Sequence, residues 1–223
     1  DEAARETEKY ADAVSELKQE TDLYVIGNYR QTISILSGSE QFNGKIQGTL
    51  FDEDKMLNRY LEINDRTSLF HLYLNGLTLN YFFGNYNRAV EYGDKGQKTQ
   101  DGGLSVFALE VFYFYDSLAR LAFMRQETDT TLNRSKQLKI IRKNLSKIQT
   151  CSKYAPMNYL HKSILIEAEI AQLNKKLSKA IFLYEKAISS ARENLFIQDE
   201  ALAYELAGNF YLRQNLKDNA KMY

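Results

Sequence analysis

The sequence predicts an all-α fold: a right-handed superhelix of antiparallel helix hairpins with irregular, tetratricopeptide-like repeats. Three observations lead there. One proline and eleven glycines in 223 residues are too few for the frequent turns of a β fold. Apolar residues return at helical spacing in one segment after another. Small residues and aromatics recur where paired helices of a repeat array would cross.

Taken in order, "EAARETEKYADAVSELKQE" carries Tyr10, Val14 and Leu17 on one helical face. "DLYVIGNYRQTISILSG" ends on Gly38, a C′ glycine. "SGSEQFNGKIQG" reads as a polar linker. "DEDKMLNRYLEIN" opens with three acids, Asp52 to Asp54, where the helix dipole favours them. "SLFHLYLNGLTLNYFFG" runs to Gly84, and "NYNRAVEYGDKGQK" follows after a tight turn. "GLSVFALEVFYFYDSLARLAFM" is apolar on nearly every side and is expected between neighbours. "TLNRSKQLKIIRKNLSKIQTC" interleaves basic residues with Leu138, Ile140, Ile141 and Leu145, an amphipathic helix with a solvated basic face. "APMNYLHKSILIEAEIAQL" starts at Pro156, the first-turn position where its missing N–H is harmless. "LSKAIFLYEKAISSAREN" and "QDEALAYELAGNFYLRQ" complete the set.

The last three segments hold the repeat signal. Ala168 belongs to one helix A, and Ala180, Tyr184 and Ala187 to its helix B. Gly208 and Tyr211 belong to the next helix A, and Ala220 opens its helix B. From Ala180 to Ala220 the offset is about 40 residues, longer than the standard 34. Connections such as "RENLFIQDE" leave room for the longer helices this requires. Gly84, Tyr86 and Ala89 fit the pattern more loosely. The whole of 1–223 is expected to form one helical-repeat domain. A start at Asp1 and an end in the helical string "KDNAKMY" read as a segment cut from a longer chain within a repeat. Such an end would expose Phe210, Tyr211 and Leu212.

Composition narrows the function. Lys plus Arg equals Asp plus Glu at 29 each, with no basic stripe for nucleic acid. No apolar run approaches the ~20 residues of a membrane span, and nothing in the sequence resembles a signal peptide. Cys151 is the only cysteine, which points to a reducing compartment. Two histidines and one cysteine, scattered singly, do not make a zinc site. "GDKGQKTQDGG" lacks the GxxxxGK[ST] order of a phosphate loop and follows a helix, so it reads as a hairpin loop. No cofactor, metal or catalytic residue is expected.

Two places merit a functional reading beside the structural one. Tyr113, Tyr115 and Asp116 sit on the very apolar helix; a buried Asp116 needs a partner, and the set either fixes packing through a tyrosine–carboxylate bond or lines a concave groove. Asn158, His161 and Lys162 lie at the start of the Pro156 helix. His161 and Lys162 there are either a base with an anion holder or packing residues. His71 reads as a core residue. Glu167 and Glu169 are two apart, so they face different sides of their helix.

Four strings go further: "NDRTSLFHLYLNGLTLNYFFGNYNRAVE", "FYFYDSLARLAF", "YAPMNYLHKSILIEAE" and "YEKAISSARENLFIQDEALAYELAGNFYL". They resemble the helical region of large multi-sensor signal-transduction kinases of the cyanobacterial type, from about residue 20 onward. In that family a Ser/Thr-kinase-like domain, an AAA-type ATPase module, this helical region, a GAF sensor and a histidine kinase follow one another. The resemblance implies a non-catalytic, cytoplasmic scaffold that relays between the ATPase and the GAF and histidine kinase modules. Its partners would be those flanking domains, or a separate protein or peptide in a groove. The kinase lysine and aspartates, the Walker loop and the phospho-accepting histidine have no counterpart here, and "NYLHKS" lacks the acid that follows a phospho-acceptor histidine. A small-molecule sensor, with Tyr115, Asp116 and His161 converging on a pocket, is the remaining alternative.

Overall fold

The computed structural model describes residues 2–16, 20–103, 106–126 and 131–223. Among these residues it contains eleven α-helices and one short 3-10 turn, with no strand beyond a single bridge between Gln47 and Asp52. The helices are α1 (Glu2–Glu16), α2 (Glu20–Leu36), α3 (Glu53–Glu62), α4 (Arg66–Phe82), α5 (Tyr86–Gly96), α6 (Val106–Gln126), α7 (Thr131–Tyr154), α8 (Pro156–Leu173), α9 (Leu177–Glu193), α10 (Ile197–Arg213) and α11 (Lys217–Ala220). The chain forms two compact units, residues 1–119 and 120–223, divided inside α6.

One turn, used repeatedly, builds both units. At the end of α4 the Gly84 N–H donates to Tyr81 O (3.1 Å) and the Asn85 N–H to Asn80 O (2.8 Å). At the end of α9 the Leu195 N–H donates to Arg192 O (3.1 Å) and the Phe196 N–H to Ala191 O (2.9 Å). Both are Schellman motifs, which satisfy the orphan carbonyls of the last turn. The same pair of bonds closes α2, α3, α8 and α10. After α3, α4, α8, α9 and α10 the final turn residue, Asp65, Asn85, Lys176, Phe196 or Leu216, is also the N-cap of the next helix. Three residues therefore reverse the chain, and successive helices pack side by side as hairpins.

The turn demands a left-handed residue at its centre. Glycine supplies it at Gly38 (φ 76°) and Gly84 (φ 74°), as expected for Gly38. Elsewhere the position holds Asn64, Lys175, Leu195 and Asn215, at φ between 53° and 61°. These residues are spaced by twenty within each unit, 64 to 84 and then 175 to 195 to 215. A seventeen-residue helix plus three turn residues makes that step, and α4, α9 and α10 are each seventeen residues long. The step from 84 to 175 is no multiple of twenty, because the intervening α6 and α7 are longer, at 21 and 24 residues. The shared register breaks there.

Small residues sit where an aromatic crosses, as the repeat pattern anticipates. A Cβ on Gly76 would strike the Tyr92 ring, and one on Gly96 the Phe112 ring. Ala180, Ala187 and Tyr184 are buried between α8, α9 and α10. Pro156 opens α8 at its first turn.

Several expectations change. Tyr10 points outward, 60 % exposed, and Leu17 lies outside the described residues. The "polar linker" is a packed loop: Ile46 and Phe51 are buried, and Glu40 holds the loop together by accepting from the Gln31 amide (2.8 Å) and the Thr49 hydroxyl (2.6 Å). Those hydrogen bonds, from Thr49 first, lower the Glu40 pKa. The buried stripe of α7 runs through Gln137, Ile141, Asn144 and Ile148, while its basic residues Lys136, Lys139, Arg142, Lys143 and Lys147 are exposed. Phe210 and Tyr211 are buried and only Leu212 is exposed, because Phe210 packs on Tyr184 and Tyr223 stacks on Tyr211 at 5.2 Å. The glycine-rich loop is pinned to the start of α4: the Arg66 guanidinium donates to Lys98 O and to the Asp101 carboxylate, and a Cβ on Gly102 would collide with Arg66 O.

Candidate functional site

The second unit gathers its buried charge where α8 meets the start of α10. Pro156 sets the phase of α8, so that His161 and Lys162, in its second turn, both face inward. They are 2 % and 7 % exposed. The turn after α9 brings Phe196 onto the His161 ring, centroid to centroid 4.6 Å. It also brings Asp199, in the first turn of α10, to both basic groups. His161 Nε2 lies 2.8 Å from Asp199 Oδ2, and Lys162 Nζ bonds the same oxygen. Lys162 Nζ also stands 3.1 Å from His161 Nε2 and 4.8 Å from the Phe196 ring centroid, a cation–π distance. Burial alone would raise the Asp199 pKa. The hydrogen bond from His161 and the charge of Lys162 outweigh it, so the pKa is lowered.

This geometry is that of a clamp. A carboxylate only accepts, so the His161–Asp199 bond commits Nε2 as a donor, the Lys162 ammonium bonds Asp199 as well, and Nδ1 is the one ring nitrogen left to offer a lone pair. Nδ1 is buried with no hydrogen-bond partner among the described residues. A general base needs that lone pair within reach of a substrate proton, and here Phe196 covers the ring. Of the predicted trio only Asn158 is exposed. Asp199, the residue that gives His161 and Lys162 their role, is 37 positions from Lys162 in the chain.

A second network ties four helices of the same unit. Glu169 on α8 is 1 % exposed. It takes Arg125 of α6 at 2.5 Å and the hydroxyl of Tyr184 on α9. The Tyr184 hydroxyl also lies 3.1 Å from Gln172 Oε1, which Arg213 of α10 reaches at 3.2 Å. Burial, then the neighbouring Glu169 charge, pushes the Tyr184 hydroxyl far above its ordinary pKa. Glu167 faces the other way and accepts from Gln149 of α7 at 2.8 Å. The two glutamates are thus separated, as their spacing implies.

In the first unit Tyr113, Tyr115 and Asp116 are 6 %, 5 % and 0 % exposed. Groove-lining residues must be open to a partner, and these face the interior. Tyr115 packs against Tyr81 (5.8 Å) and Phe82 (5.4 Å). A relay of glutamine side chains runs from Tyr113 to Asp116. Tyr113 OH donates to Gln100 (3.3 Å), Gln100 to Gln97 (2.6 Å) and Gln97 to Asp116 (3.0 Å). The relay fastens α6 to the loop after α5. The six candidate residues fall three in each unit.

Sequence reasoning passed over Glu53, second of the three acids at the α3 start. Asp52 is the N-cap, accepting from the Lys55 N–H at 3.1 Å, but Glu53 turns inward. It accepts from Tyr92 OH at 2.5 Å and from the Ile46 N–H at 2.7 Å. Burial and this carboxylate raise the Tyr92 pKa. His71 is half-buried, bonded through Nδ1 to Tyr29 OH at 3.1 Å; burial lowers its pKa, and burial pushes Tyr29 up to about 12.

Among the described residues no group of three or more His, Cys, Asp or Glu side chains converges as a metal ion would need. No described helix is long and apolar enough to cross a membrane. No protein-family model, no curated protein and no solved structure matches the chain.

Proposed function

We propose that the chain is a non-catalytic helical-repeat scaffold of a multi-sensor signal-transduction kinase. In this reading it forms a right-handed, tetratricopeptide-like superhelix in the cytoplasm and relays between an ATPase module and the GAF and histidine kinase modules. One observation carries the non-catalytic reading. The buried titratable side chains described above, in both units, join one helix or loop to the next: Glu53 to Tyr92, Asp116 to Gln97, Asp199 to His161 and Lys162, Glu169 to Arg125 and Tyr184. Buried networks of this kind fasten helices in one packing arrangement, which is what an element transmitting orientation requires. The forty-residue hairpin step and the four family-like strings support the kinase context.

The test is binding of the purified 223-residue chain to the separated ATPase, GAF and histidine kinase modules of such a kinase, by biolayer interferometry. The scaffold reading expects saturable binding to at least one of them. Absence of binding to all three by a folded chain would count against it. The second reading, a protein- or peptide-binding module, is favoured by a cleft in the first unit.

A further inference from the structure

That cleft, of about 300 Å³, opens between α2 and the turn that leads into α3. Leu23, Tyr24, Phe51 and Met56 give it apolar walls, with Gly27, Lys55 and the helix-capping Asp52 also at its surface. Two of these residues are not explained by the fold. Glycine inside a helix costs about 1 kcal/mol relative to alanine, and Gly27 lies inside the seventeen residues of α2. Gly76 is excused by the Tyr92 ring that fills its place. Gly27 has no such excuse: a Cβ there would meet only Phe51 Cδ2 at 3.7 Å and Leu50 O at 3.8 Å, ordinary contacts. A methyl fits the fold, and it would stand against two residues of the cleft wall.

Lys55 is the second. It is exposed and makes no ion pair among the described residues, although three acids precede it. Asp54 is taken by Lys45 at 2.7 Å, Glu53 by Tyr92, and Asp52 caps its own helix. An unpaired cation therefore stands beside an apolar cleft whose backbone is left bare on one side.

We propose that this cleft receives one large apolar side chain, of phenylalanine or leucine size, from a peptide segment of a partner protein, with a carboxylate next to it for Lys55. The volume sets the class. Small-molecule sites run upward from about 300 Å³, so a cofactor-sized ligand overfills this one, whereas one side chain with its adjoining backbone fits. The bare Gly27 backbone lets that side chain approach α2 closely. The choice of a peptide over a free metabolite rests on the scaffold reading. The site itself rests on the cleft, Gly27 and Lys55.

The experiment is a titration of the ¹⁵N-labelled full 223-residue chain with three capped dipeptides: N-acetyl-Phe-Asp-amide, N-acetyl-Ala-Asp-amide and N-acetyl-Phe-Asn-amide. The Phe-Asp peptide is expected to shift the amides of Gly27, Gly48, Phe51 and Lys55 saturably, and the Ala-Asp peptide not at all. Loss of an exposed ion pair weakens binding about two- to fivefold, so the Phe-Asn peptide binds that much less well. Lys55→Gln brings the Phe-Asp peptide down to the same level. Gly27→Ala is expected to raise the melting temperature by about 2–4 °C while losing the peptide. No saturable shift at those amides, equal binding of the alanine peptide, or unchanged affinity in Gly27→Ala would each overturn the assignment. So would a lower melting temperature in Gly27→Ala, since the glycine would then serve packing. None of these results alters the binding of the ATPase, GAF or histidine kinase module, so the two readings fail separately.

Discussion

At the scale of single residues, the second unit turns on one carboxylate serving two basic groups. Asp199 holds the Lys162 ammonium and the His161 ring with one oxygen. Its folded pKa lies below its ordinary value of about 3.9. A carboxylate with a depressed folded pKa contributes stability that is fully present above its unfolded pKa. That contribution is lost as pH falls through the folded pKa. The urea midpoint of the wild-type chain should therefore fall from pH 4 downward, and Asp199→Asn should remove the Asp199 share of that fall. Tyr92→Phe is a second residue-scale test. It deletes a hydrogen bond to the buried Glu53 carboxylate, and bonds to charged groups are worth roughly 1.5–3 kcal/mol. Urea denaturation should report a loss in that range, and a loss under about 0.5 kcal/mol would mean that Glu53 is satisfied elsewhere. The sequence made His161 and Lys162 visible as an unusual pair, and Asp116 as a group in need of a partner. It hid the partners, because pairing is decided by which helices meet. Asp199 and Glu53 look like ordinary first-turn acids until α8 and α5 are set against them.

At the scale of elements, the chain is a succession of hairpins closed by one turn. Gly38 and Gly84 announce that turn in the sequence, since glycine is the residue that takes a left-handed conformation freely. Asn64, Lys175, Leu195 and Asn215 conceal it, and so the twenty-residue step passes unseen. One of the concealed positions is suboptimal. Leu195 holds φ 61° with its side chain 83 % exposed, so it carries backbone strain with almost no burial in return. Leu195→Gly should stabilise the chain by about 1 kcal/mol, read as a higher melting temperature. Gly84→Ala, at φ 74°, should destabilise it by a similar amount. The same lesson holds for α7. Its charge pattern correctly located the solvated face, but Gln137 and Asn144 occupy half of its buried stripe, and polar residues there are invisible to a search for apolar periodicity. The loop between α2 and α3 was misread for the converse reason. Its composition is polar, yet Gln31, Glu40 and Glu53 supply the hydrogen bonds that let Ile46 and Phe51 reach the core.

At the scale of the whole molecule, composition was enough for the helical class, and the small-residue and aromatic pattern was enough for the hairpins around α8 to α10. The division into two units was not legible, because it lies in the long apolar α6, where no composition break marks it. The central claim is that the buried charges are structural, so that the chain works through its shape. The most direct measurement compares the wild-type chain with Asp199→Asn and with the triple variant His161→Phe, Lys162→Met, Asp199→Leu, recording urea stability and binding to the kinase modules together. Removing one partner of a buried ionic cluster strands the others and costs about 3–5 kcal/mol, whereas replacing every member by apolar residues of similar volume is often close to neutral. The account predicts a large loss of stability in the single variant, recovery of most of it in the triple variant, and unchanged module binding by the triple variant. Wild-type stability in the single variant, or a stable triple variant that no longer binds, would contradict it and make His161, Lys162 and Asp199 a working site.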